Sequence, residues 1–423
     1  MAEWDETSVR SQVRAWLEQA WDPELSLAVW RDRLVDSGWG APTWPRDCYG
    51  LDVPAALAGV ADEEFARAGA VGAAVGSGMA LAAPTLLAHG SPEVKSRLLR
   101  RIVTGEDRWC QLFSEPGSGS DLAGLTTRAE RDGDEWVVNG QKVWTTGARA
   151  AACAMLLART DWDAPKHRGI TYLVLPMRQP GVEVRPIRQM NGYQSFNEVF
   201  LTDARVPAAD VVGQVGEGWR VALTTLAHER TFGVGRLAPS SGRAGGRAAR
   251  EAADEAAEYA QTYIWYPQRA GRPDLVASHV RAAGRGSDPV TRQRAVDVEI
   301  RERVARWNVA RVRDARARGQ QPGPEGSLAK LTGTDIARRA AALHAATAGA
   351  GALLTGPDSP LDGLVAEIVT SVPGGSIAGG TDEVQHNILG ERALGLPREP
   401  AVDVDVPFRE VRTNVRRPEP PGR

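Results

Sequence analysis

The sequence predicts an α+β protein in three parts: a helical N-terminal domain over 1–109, a central antiparallel β domain over 110–215 and a helical C-terminal domain over 216–397, ahead of a tail over 398–423. Three observations predict it. The chain has 423 residues, too many for one small core. Its apolar residues recur with a helical period at both ends. Between about 110 and 208 the period becomes that of strands, with Gly-containing pairs where turns belong.

The first part opens with Val9, Val13, Trp16 and Leu17 on one helical face; 25–34 repeats that spacing, and 55–68 mixes apolar and acidic faces. The run 81–99 continues it, with His89-Gly90-Ser91-Pro92 as a helix stop and restart. Strand-like runs follow at Glu135-Trp136-Val137-Val138, Gln141-Lys142-Val143-Trp144, 154–158, 170–175, Val182-Glu183-Val184 and Asn197-Glu198-Val199-Phe200-Leu201. Asp132-Gly133 and Asn139-Gly140 read as hairpin turns, whose central residues need positive φ. After Gly216-Glu217-Gly218-Trp219 the helical pattern returns, and 327–343 puts Leu328, Leu331, Ile336, Ala340 and Leu343 on a buried face. The stretch 238–290 is irregular and has no assigned place. The tail has too few apolar residues to pack and is expected to be mobile.

Composition excludes several classes of function. A formal net charge of -2 gives no global reason to bind nucleic acid or an anionic membrane. No apolar run approaches a membrane span, and Met1-Ala2-Glu3-Trp4-Asp5-Glu6 lacks a hydrophobic targeting region, so a cytoplasmic protein is expected. The three cysteines, Cys48, Cys110 and Cys153, neither pair evenly nor fall at metal-ligand spacing, and no metal site is read.

The chemistry concentrates in Ser114-Glu115-Pro116-Gly117-Ser118-Gly119-Ser120-Asp121, followed by Trp144-Thr145-Thr146. Small residues let a loop backbone approach a ligand, hydroxyl and N–H donors grip a polar ring edge or phosphate, and an aromatic wall covers one ring face. That combination outlines a flavin site. Far downstream stands Ser376-Ile377-Ala378-Gly379-Gly380-Thr381-Asp382-Glu383-Val384-Gln385-His386-Asn387-Ile388, closed by Gly390-Glu391-Arg392. With Gly38-Trp39-Gly40-Ala41-Pro42-Thr43-Trp44-Pro45 near the start, this order of motifs resembles the acyl-CoA dehydrogenase family over most of 1–397.

The resemblance implies a C-terminal four-helix bundle, bound FAD, and an acyl-CoA or other acyl thioester held between the β domain and that bundle. It implies that a carboxylate removes the proton α to the thioester while hydride leaves the β carbon for flavin N5. By residue matching, Gln111, Phe113, Ser114, Gly119 and Ser120 lie on the flavin-contacting loop, Trp144 flanks the ring with Thr145 beside it, Thr146 bonds near N5, and Thr381 and Glu383 contact the cofactor. Ser120 and Arg230 match positions near the CoA moiety, and Gly379 and Gly380 match the thioester site, where a backbone N–H faces the developing enolate.

Two departures from the family pattern matter. The place of the usual catalytic glutamate, before the Gly-Thr pair, is Gly379, which has no side chain to take a proton. The replacement is Glu229 in Leu226-Ala227-His228-Glu229-Arg230, because family members such as isovaleryl-CoA and long-chain dehydrogenases carry their base on the first long helix of this domain, immediately before an arginine. The segments that reach a neighbour's FAD also differ. No Arg-x-x-Phe-Gly precedes Arg292-Gln293-Arg294, and Ala345-Ala346-Thr347-Ala348-Gly349 stands where Gln-x-x-Gly-Gly is expected. The chain is therefore read as an acyl-CoA dehydrogenase passing electrons to an electron-transfer flavoprotein or similar acceptor, either as a homo-oligomer or with a related subunit. A flavin-dependent acyl oxidase and a non-catalytic subunit of a heteromeric dehydrogenase are the alternatives.

Overall fold

Helices form at the N-terminal end where the apolar spacing predicts them. In the computed structural model, which describes residues 4–229, 245–318, 323–400 and 403–411, the chain makes two units: 1–187, 194–262 and 401–423 in the first, 188–193 and 263–400 in the second. The first unit starts with α1 (Glu6–Ala20), α2 (Leu27–Ser37), α3 (Ala58–Ala68), α4 (Ala83–His89) and α5 (Pro92–Thr104). Asp5 and Ser8 close a reciprocal capping box on α1. Val9, Val13 and Leu17 pack with Trp30, Leu34 and Phe65, and Trp16 is partly buried beside them. The stop and restart at 89–92 is as read: Ser91 caps α5 through the Val94 N–H, and Pro92 fills the first helical position.

The strands are β1 (Trp109–Leu112), β2 (Arg128–Asp132), β3 (Glu135–Thr146), β4 (Cys153–Arg159), β5 (Ile170–Pro176), β6 (Val182–Ile187), β7 (Phe196–Pro207) and β8 (Val211–Val212). They form one sheet in the order β6-β7-β3-β2-β4-β5-β8, with β1 parallel to β4 and most other neighbours antiparallel. The hairpin at Asp132-Gly133 joins β2 to β3, with Gly133 at φ 58°. The second expected turn is a correction. Asn139-Gly140 lie inside β3, at a register shift against β7. A Cβ at Gly140 would fall 2.4 Å from Thr127 Oγ1, and Asn139 Oδ1 accepts from the Asp203 N–H at 3.0 Å. Glycine is used there for close backbone approach at a bulge.

Two helices beyond residue 216, α6 (Gly218–Glu229) and α7 (Arg247–Gln261), belong to the first unit. Val221 and Ala222 of α6 share a core with Leu86, Ile102, Trp109 and Tyr172. The α7 helix gives a place to part of the stretch left unassigned. Its Glu251 accepts from the Leu27 N–H at 2.7 Å, Glu255 pairs with Arg31 at 2.6 Å and Glu258 with Arg108 at 2.6 Å. Glutamates three and four residues apart lie along one helix face, so all three reach the same neighbouring surface.

The tail also differs from expectation. Phe408 is fully buried, with the Arg159 guanidinium 3.4 Å above its ring centroid. Backbone bonds from Phe408 to Ala164 O and from Arg409 to Trp162 O hold the segment 403–411 to the first unit. One aromatic in the right place suffices where composition suggests none will pack.

The second unit contains α8 (Tyr266–Arg269), α9 (Val276–Ala282), α10 (Pro289–Ala317), α11 (Glu325–Ala348), α12 (Leu364–Ser371) and α13 (Asp382–Arg392). Helix α11 lies at its centre, contributing Ile336, Ala340 and Leu343 to one core and Ala337 and Ala341 to another. Leu328, expected on that buried face, is exposed and Leu331 only half-buried. Small alanines take the close helix contacts instead.

Candidate active site

The 114–121 loop is built on β1 and pinned to β3. Glu115 and Ser118 exchange backbone hydrogen bonds of 3.0 Å, and the Val143 N–H donates to Ser114 O at 2.9 Å. Beneath the loop lies a buried ion pair that sequence reasoning missed. Lys142 Nζ donates to Glu115 Oε1 at 2.8 Å and to Phe113 O at 3.0 Å, and its side chain is wholly buried. Glu115 also accepts from the Thr126 N–H at 2.7 Å, the Thr126 hydroxyl at 2.9 Å and the Thr127 N–H at 2.8 Å. Burial opposes the Glu115 charge, but the Lys142 ammonium and the threonine donors outweigh it and hold the carboxyl down to about 2. No local signal announces it, because Lys142 follows Gln141 in a run of mixed polarity. At the far end of the loop, Lys166 reaches both Asp121 at 3.1 Å and Asp403 at 2.6 Å.

This framework leaves Gly119 and Ser120 exposed and Ser114 half-buried, so the loop presents small groups outward. Phe113 is different: its ring is buried edge-on against Tyr172 at 5.9 Å, making it a core residue whose backbone alone borders the loop.

The end of β3 is strained. Trp144 has φ 64° at a register shift between Lys142 and Thr145, yet is 58% exposed, touching Phe196 edge-on at 5.8 Å. A bulky residue at positive φ is a true outlier, and such outliers cluster at ligand sites. The neighbouring Thr145 is buried, and its Oγ1 has no hydrogen-bond partner among the described residues. Asn197 Nδ2 donates to Thr145 O at 2.8 Å, while Asn197 Oδ1 is likewise unpaired. Thr146 is half-buried. An exposed aromatic wall beside an unmet buried hydroxyl and a small-residue loop fits a flat ring with polar edges, as a flavin has.

Helix α6 brings the candidate base to the same part of the first unit. Its Thr225 bonds Thr85 at 2.9 Å and the Tyr172 hydroxyl at 3.2 Å, and Thr224 bonds His89 at 2.8 Å. These contacts fix the helix on β5 and α4. At its end Glu229 is half-buried, and Gln111 Nε2 donates to Glu229 Oε2 at 3.1 Å. Gln111, read as a cofactor contact, thus directs its amide nitrogen to the carboxylate. Arg230 lies outside the described residues.

In the second unit, Gly379 and Gly380 both adopt positive φ, 68° and 84°, directly ahead of α13. Gln385 Nε2 donates to Gly379 O at 3.0 Å, and Thr381 caps α13 by accepting from the Val384 N–H at 3.2 Å. Nothing lies within 4 Å of where a Gly379 Cβ would stand. Asp382 is buried and bonded by Lys330 at 2.6 Å and Thr334 at 3.0 Å, with Arg338 at 3.3 Å. Burial opposes its charge, yet those donors hold the carboxyl below the usual range, which suits an anchor for the turn and not a proton acceptor. Glu383 is exposed. Among the described residues no group of His, Cys, Asp and Glu could hold a metal ion, and no helix is long and apolar enough to cross a membrane.

Comparison with known proteins decides the family. The N-terminal, middle and C-terminal domains of acyl-CoA dehydrogenase match residues 2–106, 110–204 and 216–394. The chain belongs to the acyl-CoA dehydrogenase family. It is 34% identical to acyl-CoA dehydrogenase IpdE1 of Mycobacterium tuberculosis over 93% of this chain and 99% of that one. Among solved structures it is similar to the ChsE4-ChsE5 complex of the same organism, with 28% identity, a TM-score of 0.62, and coverage of 94% of this chain and 100% of that one. It is also similar to the Tcur3481-Tcur3483 steroid ACAD, at 25% identity and a TM-score of 0.64 over 93% of this chain and 98% of that one. The acyl-CoA dehydrogenase family is one of FAD flavoproteins, and the helical, sheet and helical regions of this chain are its fold.

Proposed function

We propose that this chain dehydrogenates an acyl-CoA with FAD bound beside Ser114, Gly119, Ser120, Trp144, Thr145 and Thr146, and that Glu229 takes the α proton. The observation that carries the reading is the Gln111–Glu229 hydrogen bond, which sets a carboxylate beside the strand that leads into the 114–121 loop. Bound FAD would supply the acceptor for the hydride leaving the β carbon. Ser120 and Arg230 are assigned to the CoA moiety, Thr381 and Glu383 to the cofactor, and the Gly379 and Gly380 backbone to the thioester. Electrons then pass to an electron-transfer flavoprotein or similar acceptor; hydrogen peroxide released in step with turnover would instead identify an oxidase. Glu229→Gln keeps size and hydrogen bonding but removes the basic carboxylate, so FAD should stay bound while its anaerobic reduction by acyl-CoA slows by about 10²-fold or more. Near-normal reduction would assign the base elsewhere.

A bulky acyl group is the proposed substrate class, supported by the open space at Gly379 and by the steroid ACAD among the similar structures. Faster flavin reduction by a polycyclic acyl-CoA than by butyryl-CoA tests it. A two-chain assembly with a related subunit is favoured by Ala345 where a glutamine is expected, and the similar ChsE4-ChsE5 structure is itself a complex. One FAD per chain in a stable, active homo-oligomer of this protein alone would defeat that assembly.

A further inference from the structure

Alternation along β1 and into Phe113, the residue after it, puts Trp109, Gln111 and Phe113 on one side, and Cys110 and Leu112 on the other. The first face belongs to the core that takes in Val221 and Ala222 of α6, and Trp109 and Phe113 are both buried in it. Cys110 and Leu112 belong to a separate core on the opposite side. An amide is therefore placed between two buried aromatics, at a position where the pattern calls for an apolar side chain. A polar group in such a place is costly unless it is hydrogen-bonded. The Gln111 Nε2 bond to Glu229 Oε2, at 3.1 Å, spans 118 residues of sequence and ties the strand to the end of α6.

We infer that Gln111 is a positioning residue for the reaction: its amide holds the Glu229 carboxylate in the orientation from which it takes the substrate's proton. The inference rests on Glu229 being the base. Contacts at Thr224 and Thr225, one turn or more before Glu229, fix the helix, while the Gln111 amide bonds the carboxylate itself. A carboxylate on a flexible two-methylene stem samples several rotamers unless something grips it, and misplacement of a reacting group by even an ångström reduces rate strongly.

The test replaces Gln111 by Leu, which suits the apolar face and removes only the donor. At saturating acyl-CoA the first-order rate of flavin reduction should fall about tenfold while substrate affinity and FAD content stay within about twofold. Gln111→Glu, with an anionic acceptor in place of the donor, should fall further, and Gln111→Met should match Gln111→Leu, guarding against a folding defect in one variant. In the Glu229→Gln background Gln111→Leu should slow reduction no further. Independently of turnover, a double-mutant cycle of urea unfolding on the purified holoprotein should show coupling between Gln111→Leu and Glu229→Ala, which removes the acceptor, of at least about fivefold in the unfolding constant. Unchanged reduction in Gln111→Leu, or a loss carried wholly by substrate affinity, overturns the inference. If Glu229→Gln alone reduces flavin normally, the base assignment fails instead, whatever the unfolding cycle shows.

Discussion

Lys142→Met tests whether the buried pair under the 114–121 loop sets its stability. The substitution conserves the length of the side chain but leaves the Glu115 carboxylate, itself buried, without its counter-charge. Removing one partner of a buried pair costs about 3–5 kcal/mol, and here the three threonine donors remain on Glu115, which favours the lower end. Linkage gives the pH dependence: the Lys142 ammonium and the threonine donors together take the Glu115 carboxyl from 4.5 to about 2 on folding, which stabilises the fold at neutral pH. Because the folded value is depressed, that stability is present above 4.5 and is lost as pH falls toward 2. Urea unfolding should therefore find Lys142→Met less stable than the parent by about 3 kcal/mol at pH 7, with the deficit shrinking by pH 4 as the stranded carboxylate takes a proton. Lys142→Met with Glu115→Gln should recover most of the loss, since no buried charge is left. A deficit below about 1 kcal/mol at pH 7, or one that grows on acidification, would refute the reasoning.

Trp144→Gly relieves a strained φ of 64° and removes a 58% exposed ring, so thermal unfolding without cofactor should be unchanged or slightly raised while FAD retention on gel filtration falls about tenfold or more. Equal losses of stability and cofactor would make Trp144 an ordinary structural residue. Phe408→Ala empties a fully buried site and uncovers the Arg159 guanidinium, so it should cost about 3–5 kcal/mol in denaturant unfolding; a change under about 1 kcal/mol would mean that the segment 403–411 contributes nothing to the first unit.

Local chemistry made much of the architecture readable. Ser91-Pro92 announces a helix start because a cap and a pre-set φ act within four residues, and the short, nearly continuous apolar runs 154–158 and 170–175 announce strands because both faces of the sheet are buried there. Asn139-Gly140 misled for the converse reason: the demand for glycine came from Thr127, which lies elsewhere in the chain and leaves no trace in the adjacent sequence. The same holds at the site. The 114–121 loop and Trp144 were visible as motifs, whereas the partnerships of Lys142 with Glu115, Gln111 with Glu229 and Arg159 with Phe408 join residues 27, 118 and about 250 positions apart in sequence. Composition counted Phe408 as one apolar residue in a polar tail. Its role is legible only from the cation beneath it.

Lys166 holds Asp121 and Asp403 at once, across 237 residues of sequence on the second side. During synthesis the sheet and the 114–121 loop leave the ribosome early, but the carboxylate that completes the Lys166 cluster and the ring that covers Arg159 follow much later. At about 5–20 residues per second, that interval is roughly 10–50 s. Throughout it the nascent first unit carries a guanidinium face with no aromatic lid and an ammonium with one of its two anions. A ribosome stalled before residue 403 would release a sheet that is paired but not sealed.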